Sequence, residues 1–302
     1  MDSNSTKRVH RYVTNDFTVR AAVVNATHVV KEMQTLQNTL PFPTIAVGRA
    51  MVGAVLMASQ LKNGQQVGVY VKGNGGLGAI YAEAHFEGGV RGYTPFPTFQ
   101  PPNYDDGFSL KKSIGNGTLS VARHLPFQKQ PHQGTVSLVS GEIGEDIGHY
   151  LVQSHQIRNM VLLGVQLDNV GGVRSAGGII VEVMPGVEDR VVDILEKNYQ
   201  AMQAKILKDL HAGASEGELI APLLQGLPFT ELDHNYPVTY YCPCNKDRVV
   251  RALETLGEAE LEDMITKNEK ADITCQMCGR PYEVSVEELG EIKDKLHKNS
   301  LH

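Results

Sequence analysis

All four cysteines of this 302-residue chain lie between positions 242 and 278, and the 241 residues before them contain none. The order is Cys242-Pro243-Cys244, then thirty residues, then Cys275-Gln276-Met277-Cys278. Four cysteines are too few to staple a chain of this length, and a disulfide scaffold would spread them. Two close pairs flanking an insert of helical character instead supply four sulfur donors to one tetrahedral site, the pattern of four-thiolate zinc. Four protein ligands leave no open coordination position, so the expected ion is structural rather than catalytic.

The second pair, followed by Gly279-Arg280, reads as a zinc knuckle: backbone N–H groups face the sulfurs and Gly279 permits the tight turn. The first pair departs from an ordinary zinc ribbon, because a Cys-x-Cys spacing brings two sulfurs close enough for a strained disulfide. Lys246, Arg248 and Arg280 lie near the cysteines in sequence. Positive charge and a bound metal both favour thiolate, the form that oxidants attack. The site is therefore a candidate switch as well as a metal centre. A thioredoxin-like reading of Cys275 to Cys278 requires a helix directly after the motif. Gly279-Arg280-Pro281 and a strand-like run follow instead.

Residues 7–186 read as one α+β domain with antiparallel sheets. Strands are expected at 18–24, 66–72, 79–86, 90–93, 118–121, 134–139 and 177–184. A helix is expected over 26–40, and Pro41 and Pro43 break the chain before a core helix at 45–61. That run carries Arg49, Gly48 and Gly53, too interrupted for a membrane span. Residues 94–108 read as a loop, and Ser140 reads as the cap of a helix reaching 155. A helical connector is expected over 187–236. In it Val191, Leu195, Tyr199, Met202, Ile206 and Leu210 form one face of a long helix, followed by a Gly- and Ser-rich break and a shorter helix at 219–225. A small C-terminal zinc-binding domain is expected over 237–291, with helices at 246–256 and 258–267 and a strand at 281–286.

Composition removes several function classes. Hydrophobic residues at 41% and charged residues at 21% exclude wholesale disorder. The 28 Lys and Arg against 34 Asp and Glu give a net charge of −6, which argues against a nucleic-acid or anionic-membrane binder. From 238 onward, 9 basic residues face 13 acidic ones, which weakens the rival reading of a zinc-ribbon regulator contacting nucleic acid. The polar start Met1-Asp2-Ser3-Asn4 has no signal-peptide character, and a cytoplasmic location is expected.

Three shorter motifs take ordinary readings. Gly73-Asn74-Gly75-Gly76-Leu77-Gly78 fits a dinucleotide fingerprint, but the residues after it alternate like a strand, so a hairpin turn is expected. Gly213-Ala214-Ser215-Glu216-Gly217 fits a hydrolase elbow, but a helix precedes it where the elbow needs a strand. Ser154 and His155 are adjacent on a helix and do not face each other.

The cysteine pattern near the end of a chain this size resembles the redox-regulated 33 kDa heat-shock chaperone family. The likeness extends to Gly88-Gly89-Val90-Arg91-Gly92-Tyr93, to Gly115-Asn116-Gly117-Thr118, to Gln133-Gly134-Thr135-Val136-Ser137 with Gly141-Glu142-Ile143, and to Ala176-Gly177-Gly178-Ile179 with Met184-Pro185-Gly186. Gly76, His155 and Glu182 depart from the family pattern, and none is a cysteine. The resemblance implies an ATP-independent holdase rather than an enzyme. When reduced it holds one zinc ion per chain on Cys242, Cys244, Cys275 and Cys278 and is inactive. On oxidation it forms Cys242–Cys244 and Cys275–Cys278 disulfides, loses zinc, and binds unfolding client proteins. A homodimeric active form and hand-over of clients to an ATP-dependent chaperone system are implied too, with no nucleic-acid or membrane partner.

Overall fold

A computed structural model of the chain describes residues 8–101, 109–233 and 236–300. The chain divides into two compact units, Met1–Tyr241 and Cys242–His302. Part of the 94–108 loop, residues 102–108, lies outside the described residues.

The first unit opens with strands β1 (Arg8–Thr14) and β2 (Val19–Asn25), then helices α1 (Thr27–Gln37) and α2 (Pro41–Ala58). Strands β3 (Gln66–Gly73), β4 (Ala79–His85) and β5 (Gly89–Tyr93) follow as a meander. A short helix α3 (Leu110–Ile114) leads to β6 (Gly117–His124) and β7 (His132–Ser137). Helix α4 (Gly144–His155) and strands β8 (Asn159–Leu167) and β9 (Val173–Val183) complete the mixed part. Helices α5 (Asp189–Ala212) and α6 (Glu216–Ile220) come next, then short strands β10 (Phe229–Glu231), β11 (Tyr236–Pro237) and β12 (Thr239–Tyr240).

These strands make two sheets. One runs β10-β1-β2-β9-β8 with β11 also on β1; the other runs β12-β5-β4-β3-β6-β7, and all pairings but the parallel β12–β5 are antiparallel. The first sheet is buried on both faces. Ala22 and Val24 of β2 pack into the main core, whereas their neighbours Ala21 and Val23 pack against α5 and α6. That two-residue alternation is the pleat, and burial on both sides explains the unbroken apolar runs of β2 and β9.

Apart from Arg49, helix α2 is apolar on nearly every side because the main core encloses it. Its length and composition would suit a membrane span, but 83% of it is buried inside the folded unit. A Cβ on its Gly53 would fall 2.4 Å from Cδ1 of Ile147, so glycine there lets α4 come close.

Several local expectations are corrected. Pro41 and Pro43 do not precede the core helix but begin it: Pro41 stands at the first helical position, where a missing N–H costs nothing. Ser140 does not cap α4, which starts at Gly144. The fully buried carboxylate of Asp146 instead accepts from the backbone N–H groups of Val139, Ser140 and Ile143, at 2.8, 3.0 and 3.1 Å. The connector's second helix lies at 216–220, earlier than expected. Ser215, the centre of the elbow-like motif, caps it. Strands β1 and β8 had no counterpart in the sequence reading. The glycine-rich stretch 73–78 is the β3–β4 hairpin, closed by Gly73 N–H to Gly78 O at 2.7 Å, and a strand follows it.

The expected helical stripe holds. Leu195, Ile206 and Leu210 are buried on the outer face of the first sheet, and Val191, Tyr199 and Met202 pack half-buried beside them. The segment after the connector returns to the second sheet: Thr239 N–H bonds to Gly88 O at 3.0 Å and Tyr241 N–H to Val90 O at 2.9 Å. Gly88 has φ +89, and a Cβ there would lie 1.9 Å from the Pro237 carbonyl oxygen.

The second unit contains α7 (Lys246–Glu254), α8 (Glu258–Thr266), a hairpin of β13 (Ala271–Thr274) and β14 (Pro281–Val284), and α9 (Val286–Ser300). The strand expected to reach 286 ends at 284, and a helix begins. Ser285 Oγ accepts from Glu288 N–H at 3.3 Å while the Glu288 carboxylate accepts from Ser285 N–H at 2.9 Å, a reciprocal cap. The core of this unit is small: Val249, Leu253, Leu261, Ala271, Val284, Leu289 and Ile292.

Candidate metal centre

Two short segments build the site. Cys242 and Cys244 lie on an irregular stretch that ends where Asn245 caps α7, its Oδ1 accepting from Arg248 N–H at 2.9 Å. Cys275 and Cys278 lie on the turn of the β13–β14 hairpin. Cys275 N–H bonds to Arg280 O at 2.9 Å and Gly279 N–H to Cys275 O at 2.8 Å, with Gly279 at φ +71. The backbone N–H of Arg280 serves the Cys278 sulfur. This is the knuckle geometry that the Cys-x-x-Cys-Gly run implies.

The four Sγ atoms lie within 4.8 Å of one another. Cys242 and Cys275 are 3.9 Å apart, and Cys244 and Cys278 are 3.4 Å apart. A tetrahedral zinc with Zn–S bonds of about 2.3 Å needs sulfurs roughly 3.8 Å apart. The cluster meets that requirement in donor type and in spacing. Cys278 is buried and the other three are half-buried. Among the described residues no other group of three or more His, Cys, Asp or Glu side chains converges in this way.

The four thiols are not equivalent. Burial opposes ionisation of Cys244, but hydrogen bonds from Tyr282 first and from the neighbouring thiols next outweigh it and hold the group at about 7. Tyr282 Oη donates to Cys244 Sγ at 3.0 Å. Cys278 moves the other way, pushed up chiefly by burial. Of the three cations singled out from sequence, Lys246 pairs with Glu288 and Arg248 donates to the Pro243 carbonyl at 3.4 Å. Arg280 does act on the site: it bonds to Tyr282 and feels the charge of Cys244 and Cys278. Tyr282 itself was not singled out. Its only sequence signal is its place four residues after Cys278, on the strand leaving the knuckle.

Comparison with known proteins agrees with this geometry. The family model described as Hsp33 protein matches residues 7–285. The 33 kDa chaperonin of Trichormus variabilis is 38% identical over 286 residues, covering 93% of this chain and 94% of that protein. The 33 kDa chaperonin of Thermus thermophilus is 38% identical over 293 residues, covering 93% and 85%. The crystal structure of the 33 kDa chaperonin from Thermotoga maritima, a heat shock protein 33 homolog, superposes with a TM-score of 0.87 at 30% identity, covering 97% of this chain and 99% of that one.

Proposed function

This chain belongs to the Hsp33 family, and on that premise we propose that it is a redox-regulated, ATP-independent holdase, a chaperone and not an enzyme. The observation that carries the reading is the convergence of four sulfurs within 4.8 Å in a unit whose core, among the described residues, has seven buried apolar side chains.

Cys242, Cys244, Cys275 and Cys278 would hold one zinc ion per chain in the reduced state. The ion would supply folding free energy: a unit this small rarely holds together on its core alone, and structural zinc contributes on the order of 10 kcal/mol. Neighbouring thiolates are also the groups that an oxidant attacks. In the proposed pairing Cys242–Cys244 and Cys275–Cys278, each thiolate pair gives two electrons to a peroxide. The peroxide O–O bond breaks, and with two protons from solvent it leaves as two water molecules. The donor set is then consumed, and the small unit loses what held it folded.

The connector of residues 187–236 is the proposed output. In the folded state α5 and α6 cover the outer face of the first sheet. Release would expose Leu195, Ile206 and Leu210 together with Val19, Ala21 and Val181 beneath them, an apolar surface of the kind that captures unfolding chains. Unfolded client proteins are the proposed partners. We also place here a homodimeric active form, hand-over to an ATP-dependent chaperone system, a cytoplasmic location, and no nucleic-acid or membrane partner. The domain boundaries proposed from sequence, 7–186, 187–236 and 237–291, belong to the same reading.

The test is stoichiometry. Oxidised chain should suppress aggregation of a heat-unfolding client in roughly equimolar amounts without nucleotide. Turnover of disulfides at catalytic amounts would point to a thiol oxidoreductase instead.

A further inference from the structure

A cavity of about 600 Å³ in the first unit is remote in sequence from every cysteine and plays no part in the proposed switch. It opens where the C-terminal ends of α2 and α4 meet β3, β6, β7 and β9. Its floor is aliphatic, formed by the buried side chains of Val67, Val121, Leu151 and Ile180.

Its charged lining is predominantly basic. Arg20, Lys62 and Arg123 face a single carboxylate, Glu182. That carboxylate is 4% exposed and already engaged by Arg20 Nε at 2.8 Å. Lys62 and Arg123 are left without an acidic partner among the lining residues, in a chain whose net charge is −6. A cleft with low-dielectric walls concentrates such a charge. Two helix carbonyl ends would work against it, but they are already engaged. Gln60 and Leu61 N–H groups bond to Met57 and Ala58 carbonyls, and Gln156 and Ile157 N–H groups bond to Val152 and Leu151 carbonyls.

Two donors in the lining lack acceptors. Arg123 binds Gln65 through Nη2 at 2.8 Å, yet its buried Nε has no hydrogen-bond partner, and neither has the buried Nε2 of Gln60. Buried donors of this kind are rare and call for an acceptor. Tyr150 also lines the cavity, but its phenol already meets His155 Nε2 at 3.2 Å, so the free donors are those of Arg123 and Gln60. Tyr150 is also the only Phe, Tyr or Trp in the lining, and a single glycine, Gly134, is present. Neither a stacking platform nor a glycine-rich phosphate loop is available for a nucleotide.

We propose that this cavity binds an alkyl carboxylate, its head group on Arg123, Gln60 and Lys62 and its chain along the Val67–Val121–Leu151–Ile180 floor. The volume lies within the usual range for small-molecule sites, roughly 300–1,000 Å³.

The experiment titrates the full-length, reduced, zinc-loaded chain with decanoate by calorimetry, beside decanol, decyltrimethylammonium and anionic phospholipid vesicles. In the reduced chain the proposed client surface is covered, so the outcome is independent of the holdase reading. Decanoate should bind at one site per chain. Decanol and decyltrimethylammonium should bind at least tenfold more weakly, and Arg123→Gln should weaken decanoate at least tenfold. Lys62→Gln, an exposed change that the fold tolerates, should weaken it severalfold. Methyl NMR shifts on adding decanoate should centre on Val67, Val121, Leu151 and Ile180. Equal binding of all three head groups, binding to vesicles alone, unchanged affinity in both variants, or shifts elsewhere would each overturn the proposal.

Discussion

The phenol of Tyr282 donates to the sulfur of Cys244 across 3.0 Å, reaching from the strand that leaves the knuckle to the Cys-x-Cys segment. This contact joins the two halves of the cysteine cluster and separates the chemistry of its members. Burial alone would keep Cys244 a thiol, but Tyr282, with help from the neighbouring sulfurs, holds it at about 7. Cys244 is therefore held closer to thiolate at neutral pH than Cys278, which burial pushes up.

Removing that donor should slow it. In metal-free, reduced protein at pH 7, Tyr282→Phe should lower the alkylation rate of Cys244 about three- to tenfold, as the thiol returns toward the ordinary value of about 8.5. Peptide mapping after a timed pulse of iodoacetamide measures this residue by residue. An unchanged rate would mean that the other sulfurs, not the phenol, set the acidity.

Loss of a single ligand should unfold the small unit rather than trim it. Cys275→Ser or Cys278→Ser should reduce zinc content and expose the amides of residues 242–300 to hydrogen exchange, leaving the sheets of the first unit protected. Removing zinc from the wild-type chain with a chelator should reproduce the pattern, because among the described residues the core of that unit rests on seven buried apolar side chains. Wild-type protection in either variant would sink the four-ligand assignment.

Leu195 is fully buried between α5 and the first sheet. Leu195→Ala should cost about 2–5 kcal/mol of docking, mostly as a cavity. If the connector covers the client surface, this variant should suppress client aggregation partly without any oxidant. A light-scattering assay on the reduced, zinc-loaded variant decides it, and a silent variant with a lowered melting temperature would separate stability from activation.

Acid should act through Glu83, whose buried carboxylate accepts from Tyr81 Oη at 2.7 Å and pairs with Arg91 and His85. Burial opposes its ionisation, but His85, Tyr81 and Arg91 together outweigh it and hold the group at about 2. A carboxyl held below its unfolded value stabilises the fold above that value and loses the effect as pH falls through the folded one. The window here runs from about pH 4.5 down to about 2. The difference in unfolding free energy between wild type and Glu83→Gln should shrink by about 2–3 kcal/mol across that window. Urea midpoints at pH 7, 4 and 3 measure it, and a constant difference would contradict the cluster's role.

The cysteine cluster was legible in the sequence because thiols at short fixed spacings have few other uses in one chain segment, and the knuckle turn is local. The amphipathic face of α5 was legible for the same reason: Leu195, Ile206 and Leu210 repeat with the helix. What escaped was set at a distance or by ambiguity. The run Met160-Val161-Leu162-Leu163 suits a buried strand or a buried helix equally, and only its pairing with β9 decides. The start of α4 depends on Asp146 reaching back to three amides, which outbid the ordinary cap at Ser140. Helix α9 did leave a signal, Ser285 followed by Glu288 at capping-box spacing, that the strand reading of 281–286 overran. Tyr282 left only its place four residues after Cys278, because its role comes from strand β14 facing the Cys-x-Cys segment.

The central claim is that the cysteine cluster gates client binding. The most direct test titrates the zinc-loaded chain with peroxide at elevated temperature and follows three quantities in the same samples: zinc released, disulfides mapped, and suppression of client light scattering. The account predicts that one zinc per chain, the Cys242–Cys244 and Cys275–Cys278 disulfides, and suppression emerge together, and that a thiol reductant with zinc reverses all three. Equal suppression by the reduced, zinc-loaded chain, or full zinc release and disulfide formation with no suppression, would contradict it.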